Sequence, residues 1–210
     1  MSDIANTDSI RPERRLRISE SCGPAQPPWF RWKAPLGGTP EARSPELLER
    51  IIRRCLVATA DRYRPNRQGR QETYCNIFVW DVTSALAAEI PHWVALSDLI
   101  VPADPDFSGN LAVETTANFL CGWLAGPGRE YGWIPATAAT ALIYANEGRP
   151  AVAMLENQEG HGHMAMLRPG KAHPQKGIPI AQAGRVRFDD GFLNDGFGVA
   201  TARVTYYVHC

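Results

Sequence analysis

The chain has 210 residues, 44% hydrophobic and 21% charged, with acids and bases balanced to a formal net charge of zero. That length supports one ordinary domain with a core of its own, and the balanced charge gives no general attraction to nucleic acid or anionic membranes. No apolar run approaches the roughly 20 residues that span a bilayer, the N-terminus lacks a secretory signal pattern, and five cysteines without CxxC spacing argue against a disulfide framework or a four-thiolate zinc site.

Residues 1–44 are rich in Pro, Gly, Arg and Ser and have no period. They read as an irregular arm, with Trp29, Phe30 and Trp32 as possible anchors and Arg14, Arg15 and Arg17 as a short basic cluster. The domain is expected over 45–210. Ser44-Pro45-Glu46 is a helix start: a cap residue, a proline at the first helical position and an acid in the first turn. Leu47, Leu48, Ile51, Ile52, Cys55 and Leu56 follow at helical spacing, and the helix is expected to end near Tyr63, before Pro65.

After a loop at 66–70, Thr73 is the expected cap of a second helix with Cys75 in its first turn. That helix, Cys75-Asn-Ile-Phe-Val-Trp-Asp-Val-Thr-Ser-Ala85, is apolar almost all round and is expected to be central and buried, ending by Pro91. Residues 91–110 read as a loop, 112–124 as a helix, Pro127-Gly128 as a break, and 137–146 as a short helix closed by Gly148. The character then changes. Residues 151–155 and 163–167 read as a strand hairpin, 178–182 as a third strand with Pro179 at an edge or strand start, and 202–209 as a fourth. Helices first and antiparallel strands after read as an α+β fold, the sheet packed on the central helix.

Two residues carry the chemistry. Cys75 heads a buried helix, where the free N–H groups of the first turn stabilise a thiolate. His163 heads a strand in which His163, Ala165 and Leu167 share a face; small Ala165 allows helix and strand to approach, bringing the imidazole to the thiol. Cysteine hydrolases need this pairing of nucleophile and base. A third group usually orients the imidazole. Gln182 on the next strand is the first choice, with His173, Asp189 and Asn194 behind it. For the oxyanion, the Cys75 main-chain N–H and the Tyr63 hydroxyl are candidates, and Asn76 and His161 are candidate substrate contacts. Cys55 and Cys121 read as core residues. Trp80, Trp93, Trp123 and Trp133 read as core or groove wall. Asp81, an acid in a buried helix, must be paired or line the cleft. Arg62, Arg64, Arg67 and Arg70 are either a solvated cluster or a carboxylate-recognition patch. His161, His163 and His173 lack an acidic or thiol neighbour in sequence that would make a metal site, so neither a metal nor another cofactor is expected.

Cys75 at a helix head, Gly162-His163 at a strand head and a polar residue on the following strand resemble the NlpC/P60 and CHAP families over about Tyr63 to Tyr207. In NlpC/P60 enzymes a tyrosine commonly precedes the cysteine, a place taken here by Tyr63. The usual Asp-Cys-Ser-Gly is replaced by Tyr74-Cys75-Asn76-Ile77, and the stretch between cysteine and histidine is longer. The resemblance implies a papain-like fold and a cysteine peptidase or amidase that cleaves an amide in the stem peptides of bacterial peptidoglycan. It extends to cell-wall amidase effectors of bacterial secretion machines and to phage lysins. That implies a toxin made in the cytoplasm, delivered to the periplasm or wall of a target cell, and held in check by an immunity protein. The same dyad also fits a protease, deamidase or transglutaminase acting on protein. A degenerate core that only binds is the non-enzymatic alternative.

Overall fold

The computed structural model describes residues 39–66, 69, 71–95 and 112–210. Residues 1–38, Arg67, Gln68, Arg70 and 96–111 lie outside them, and so does most of the expected N-terminal arm.

Helix α1 spans Pro45–Arg54, and its start is the expected one: the Ser44 hydroxyl accepts from the Leu47 N–H at 3.1 Å. Leu47, Leu48, Ile51 and Ile52 are its buried stripe. The helix stops about two turns before the expected end, at Leu56, which has φ +50° and is 58% exposed. Continued as a helix, the chain would put Val57 on the side opposite Leu48. Turning instead buries Val57 completely and brings Tyr63, on a short 3-10 turn over Asp61–Tyr63, into the core.

Helix α2, Cys75–Ala85, is buried on nearly every side. Its N-cap is Tyr74 and not Thr73, with no side-chain cap bond, and it ends before Pro91, where Ala87 turns the chain at φ +52°. Strands β1 (Trp93–Ala95) and β2 (Ala112–Glu114) pair antiparallel, Val94 opposite Val113. The helix expected from residue 112 begins later: α3 spans Ala117–Ala125, capped by the Thr116 hydroxyl accepting from Phe119 N–H. The β-branched Val113, Thr115 and Thr116 suit extended chain and cap.

The remaining elements build one six-stranded antiparallel sheet of order β3-β8-β4-β5-β6-β7. They are β3 (Trp133–Ala136), α4 (Ala138–Asn146), β4 (Ala151–Leu155), β5 (His163–Leu167), β6 (Pro179–Ala183), β7 (Arg187–Phe192), α5 (Leu193–Phe197) and β8 (Thr205–His209). The fold is α+β, and the expected hairpin is β4–β5, Leu155 opposite His163. Two strands of this sheet were not expected, nor was the β1–β2 pair, which replaces part of the expected 91–110 loop and the start of the helix expected from 112. β3 carries Pro135 and β7 carries Asp189-Asp190, residues that obscure a strand pattern, and both sit at sheet edges where such residues are tolerated. Consequently β6 is internal, and Pro179 is its first residue. β8 starts at Thr205, because Gly198–Arg203 form 3-10 turns.

α2 packs on β5 and β6, and α1 packs on α2 and α4. Trp80, Phe78, Tyr63 and Trp133 are among the largest fully buried side chains, each worth about 1.5–3 kcal/mol or more of transfer free energy. Gly148, at φ +77° after α4, lies so close to Ser44 that an added Cβ would sit 2.0 Å from its carbonyl carbon. Arg43, on the arm side of the expected boundary, is part of this body: Nε and Nη2 donate to the Leu86 and Ala87 carbonyls at 2.9 Å, and Nη1 reaches His209 Nδ1 at 3.2 Å. No helix of the described residues is long and apolar enough to cross a membrane.

Candidate active site

The head of α2, the head of β5 and the middle of β6 converge. β5 and β6 pair with Met166 opposite Ala181 and Leu167 opposite Ile180. Continuing that register places Gly184 opposite His163 and Gln182 one diagonal away on the same face. His163 Nε2 and Gln182 Oε1 are 2.6 Å apart. The carboxamide is oriented by its other end, since Gln182 Nε2 donates to the Val186 carbonyl at 3.0 Å. Oε1 therefore accepts, Nε2 of the imidazole carries the proton, and Nδ1 is the nitrogen left for the Cys75 thiol, to which His163 is hydrogen-bonded. Cys75 is 3% exposed, while His163 is half-buried and is the part of the pair that reaches the surface.

The sulfur has three partners: the His163 ring and the main-chain N–H groups of Met164 and Asn76. Burial pushes the thiol pKa up, but the imidazole and the two N–H groups outweigh it and bring the thiol below its ordinary value. Burial likewise pushes His163 down, and its bonds to Cys75 and Gln182 bring it above the ordinary histidine value. The two shifts have one cause, the hydrogen bond and charge interaction between the Cys75 thiol and the His163 ring. The other buried thiols move the opposite way: burial drives Cys55 far up and Cys121 up to about 12. Among these three, only the Cys75 thiol is lowered, the direction that favours a thiolate.

Space around the dyad is kept open by glycines. A Cβ on Gly196, in α5, would lie 2.3 Å from Gln182 Oε1; one on Gly184 would lie 3.1 Å from His163 Cε1. The Phe197 ring covers the imidazole at 4.9 Å between centroids. β7 bulges beside this corner, where Ala181 faces both Asp189 and Asp190, between the pairs Ile180–Gly191 and Gln182–Phe188.

Tyr63 is not an oxyanion donor, which corrects the expectation from sequence. Its single hydroxyl proton goes to Asp81 Oδ2 at 2.6 Å, and Asp81 lies six residues along α2 from Cys75, about 9 Å down the helix axis. Arg62 grips the same carboxylate through Nε and Nη2, at 2.7 and 2.9 Å. Asp81 is thus paired, and Arg62 is a partner of the core and not part of a recognition patch; Arg64 pairs with Asp61 at 2.8 Å. The Asn76 side chain donates to the Thr115 carbonyl at 2.8 Å, so Asn76 serves the site through its main-chain N–H. His161 is exposed in the turn before β5. His173 accepts from the Gln175 and Lys176 N–H groups, and Asn194 bonds Gln175 and Thr201, so neither meets the imidazole. Trp80 and Trp133 are core residues, and Trp123 stacks on Tyr131. Met164 is the participant that the sequence did not reveal, because a main-chain donor leaves no mark on residue type. Among the described residues no three His, Cys, Asp or Glu side chains form a group able to hold a metal.

No protein-family model and no curated protein matches the chain.

Proposed function

We propose that the protein is a papain-like cysteine amidohydrolase whose substrate is an amide of bacterial peptidoglycan, within or beside the stem peptide. The observation that carries the chemistry is the Cys75–His163–Gln182 arrangement, with the thiol lowered and the imidazole raised. The substrate class rests on the resemblance of Cys75, Gly162-His163 and Gln182 to the NlpC/P60 and CHAP pattern.

The Cys75 thiolate attacks the amide carbonyl carbon. As the C–N bond breaks, His163 gives its Nδ1 proton to the leaving nitrogen and the amine departs, leaving a thioester. Neutral His163 then takes a proton from water as the water oxygen attacks that thioester. Collapse releases the carboxylic acid and restores thiolate and imidazolium. Gln182 holds the ring in one tautomer throughout and stabilises the imidazolium by accepting from Nε2. The Cys75 main-chain N–H at the α2 head is the oxyanion donor in this scheme, with Tyr63 no longer in that role.

The test is digestion of purified sacculi by wild type and Cys75→Ala, with the products identified by mass spectrometry. Release of defined fragments by wild type alone is the expected result and names the bond. Equal release by Cys75→Ala refutes the mechanism. Absence of release by wild type, with cleavage, deamidation or cross-linking of a protein mixture, moves the same dyad to protein substrates.

A further inference from the structure

We propose that Asn118, in the first turn of α3, is the positioning residue that holds His163 in register with Cys75; this rests on the dyad reading above. Asn118 uses its whole carboxamide on the turn between β4 and β5. Nδ2 donates to the Asn157 and Gly160 carbonyls, both at 2.9 Å, and Oδ1 accepts from the Asn157 N–H at 3.0 Å. Two donors and one acceptor on one short turn fix both the amide and the turn. That turn delivers His163, which opens β5 directly after Gly162.

Gly162 explains the fit. An ideal Cβ there would lie 2.3 Å from Asn118 Oδ1 and 2.9 Å from the Leu155 carbonyl oxygen. The glycine before the histidine is therefore the space into which the Asn118 amide fits, and side chain and backbone are matched to each other. The segment that carries Asn118 also holds the nucleophile. Asn76, beside Cys75, donates its side-chain amide to the Thr115 carbonyl, and Thr115 is anchored in turn through its N–H to His92 and its hydroxyl to Pro91. Residues 115–118 thus touch the head of α2 through Asn76 and, through Asn118, the turn that leads into β5. One link of four residues joins α2 to the turn that delivers His163, and their separation sets the sulfur-to-nitrogen contact. A misplacement on the order of 1 Å in such a contact costs about a hundredfold in rate.

The test reads Cys75 itself and needs no substrate. Site-resolved alkylation by iodoacetamide is followed against pH in wild type, Asn118→Ala and Asn118→Ser, with Gly162→Ala approaching the same contact from the other side. Wild type is expected to react on a plateau that extends to the acid side of an ordinary thiol's titration. The variants, folded by circular dichroism, are expected to lose about tenfold or more of that rate, with the midpoint displaced towards an ordinary thiol near 8.5. Asn118→Ser, which keeps a short polar group, is expected to fall between. A folded Asn118→Ser or Asn118→Ala with the wild-type pH profile overturns the assignment, including where only the melting temperature has dropped, since a purely structural role leaves the profile in place. A wild-type protein whose Cys75 titrates as an ordinary buried thiol overturns the dyad reading, and the assignment with it.

Discussion

Replacing Gln182 by Leu removes the acceptor for His163 Nε2 and the donor to the Val186 carbonyl. The side chain is 2% exposed, wedged between Gly196, Ile180 and the imidazole, and leucine has a similar volume. The lost bond is charge-assisted whenever His163 is protonated, a kind worth about 1.5–3 kcal/mol. At about 1.4 kcal/mol per pKa unit, the imidazolium should titrate about one to two units lower. The thiolate–imidazolium pair exists above the thiol pKa and below the imidazolium pKa, so this loss narrows its pH window from the alkaline side. In Gln182→Leu, amide turnover, which takes the leaving group's proton from the imidazolium, should be about 10–100 times slower at the upper edge of the wild-type pH range. Loss of the Val186 contact adds a stability cost of about 1 kcal/mol, read separately by urea unfolding. A folded Gln182→Leu protein whose alkaline limb coincides with that of wild type would show that the glutamine does not stabilise the imidazolium.

Two further perturbations address the parts of the molecule outside the dyad. Tyr63→Phe should leave the rate of Cys75 alkylation unchanged while lowering stability by about 1–3 kcal/mol, because it removes a donor from the buried Asp81 carboxylate; a large fall in turnover with unchanged stability would restore the tyrosine to the catalytic machinery. Burial and the neighbouring Arg43 keep His209 neutral down to about 4, against an ordinary value of 6.5. Between those values the unfolded chain takes up a proton that the folded one refuses, so the contribution of this group falls as pH drops from 6.5 towards 4. Allowing for solvent at this half-buried site, the loss is on the order of 1 kcal/mol. Thermal melts at pH 7 and pH 4.5 should show a smaller acid loss in His209→Asn than in wild type, and an equal loss in both would remove His209 from the account.

Much of the site was legible because it depends on two simple periodicities. A cysteine at the start of a nearly all-apolar segment marks a helix head, and strand alternation brings His163 and Gln182 to one face once β5 and β6 are taken as neighbours. The Tyr63 misreading also had a cue in the sequence. Asp81 lies inside a buried helix, and an acid there demands donors, which Arg62-Tyr63 are able to supply. β3 and β7 escaped detection for a different reason. Edge strands are free to carry Pro135 or Asp189-Asp190, and those residues erase the alternation by which strands are found. Asn118 left no signal, since an asparagine in a first turn is common and its bonds run to main-chain atoms far along the chain.

The room left by Gly162, Gly184 and Gly196 alters how kinship to this chain should be sought. Of the main-chain groups that reach the sulfur, the Met164 N–H asks little of the side chain at its position, whose identity is free to drift among buried residues. The glycines have no such latitude: one added methyl at 162 or 196 would come within 2.3 Å of the Asn118 or Gln182 amide oxygen. The steric constraint on any relative that keeps this site therefore falls on Gly-His, on Gln-x-Gly and on the lone glycine of the short helix that follows. Natural variants with alanine at those positions would mark branches in which the chemistry has been abandoned while the fold persists.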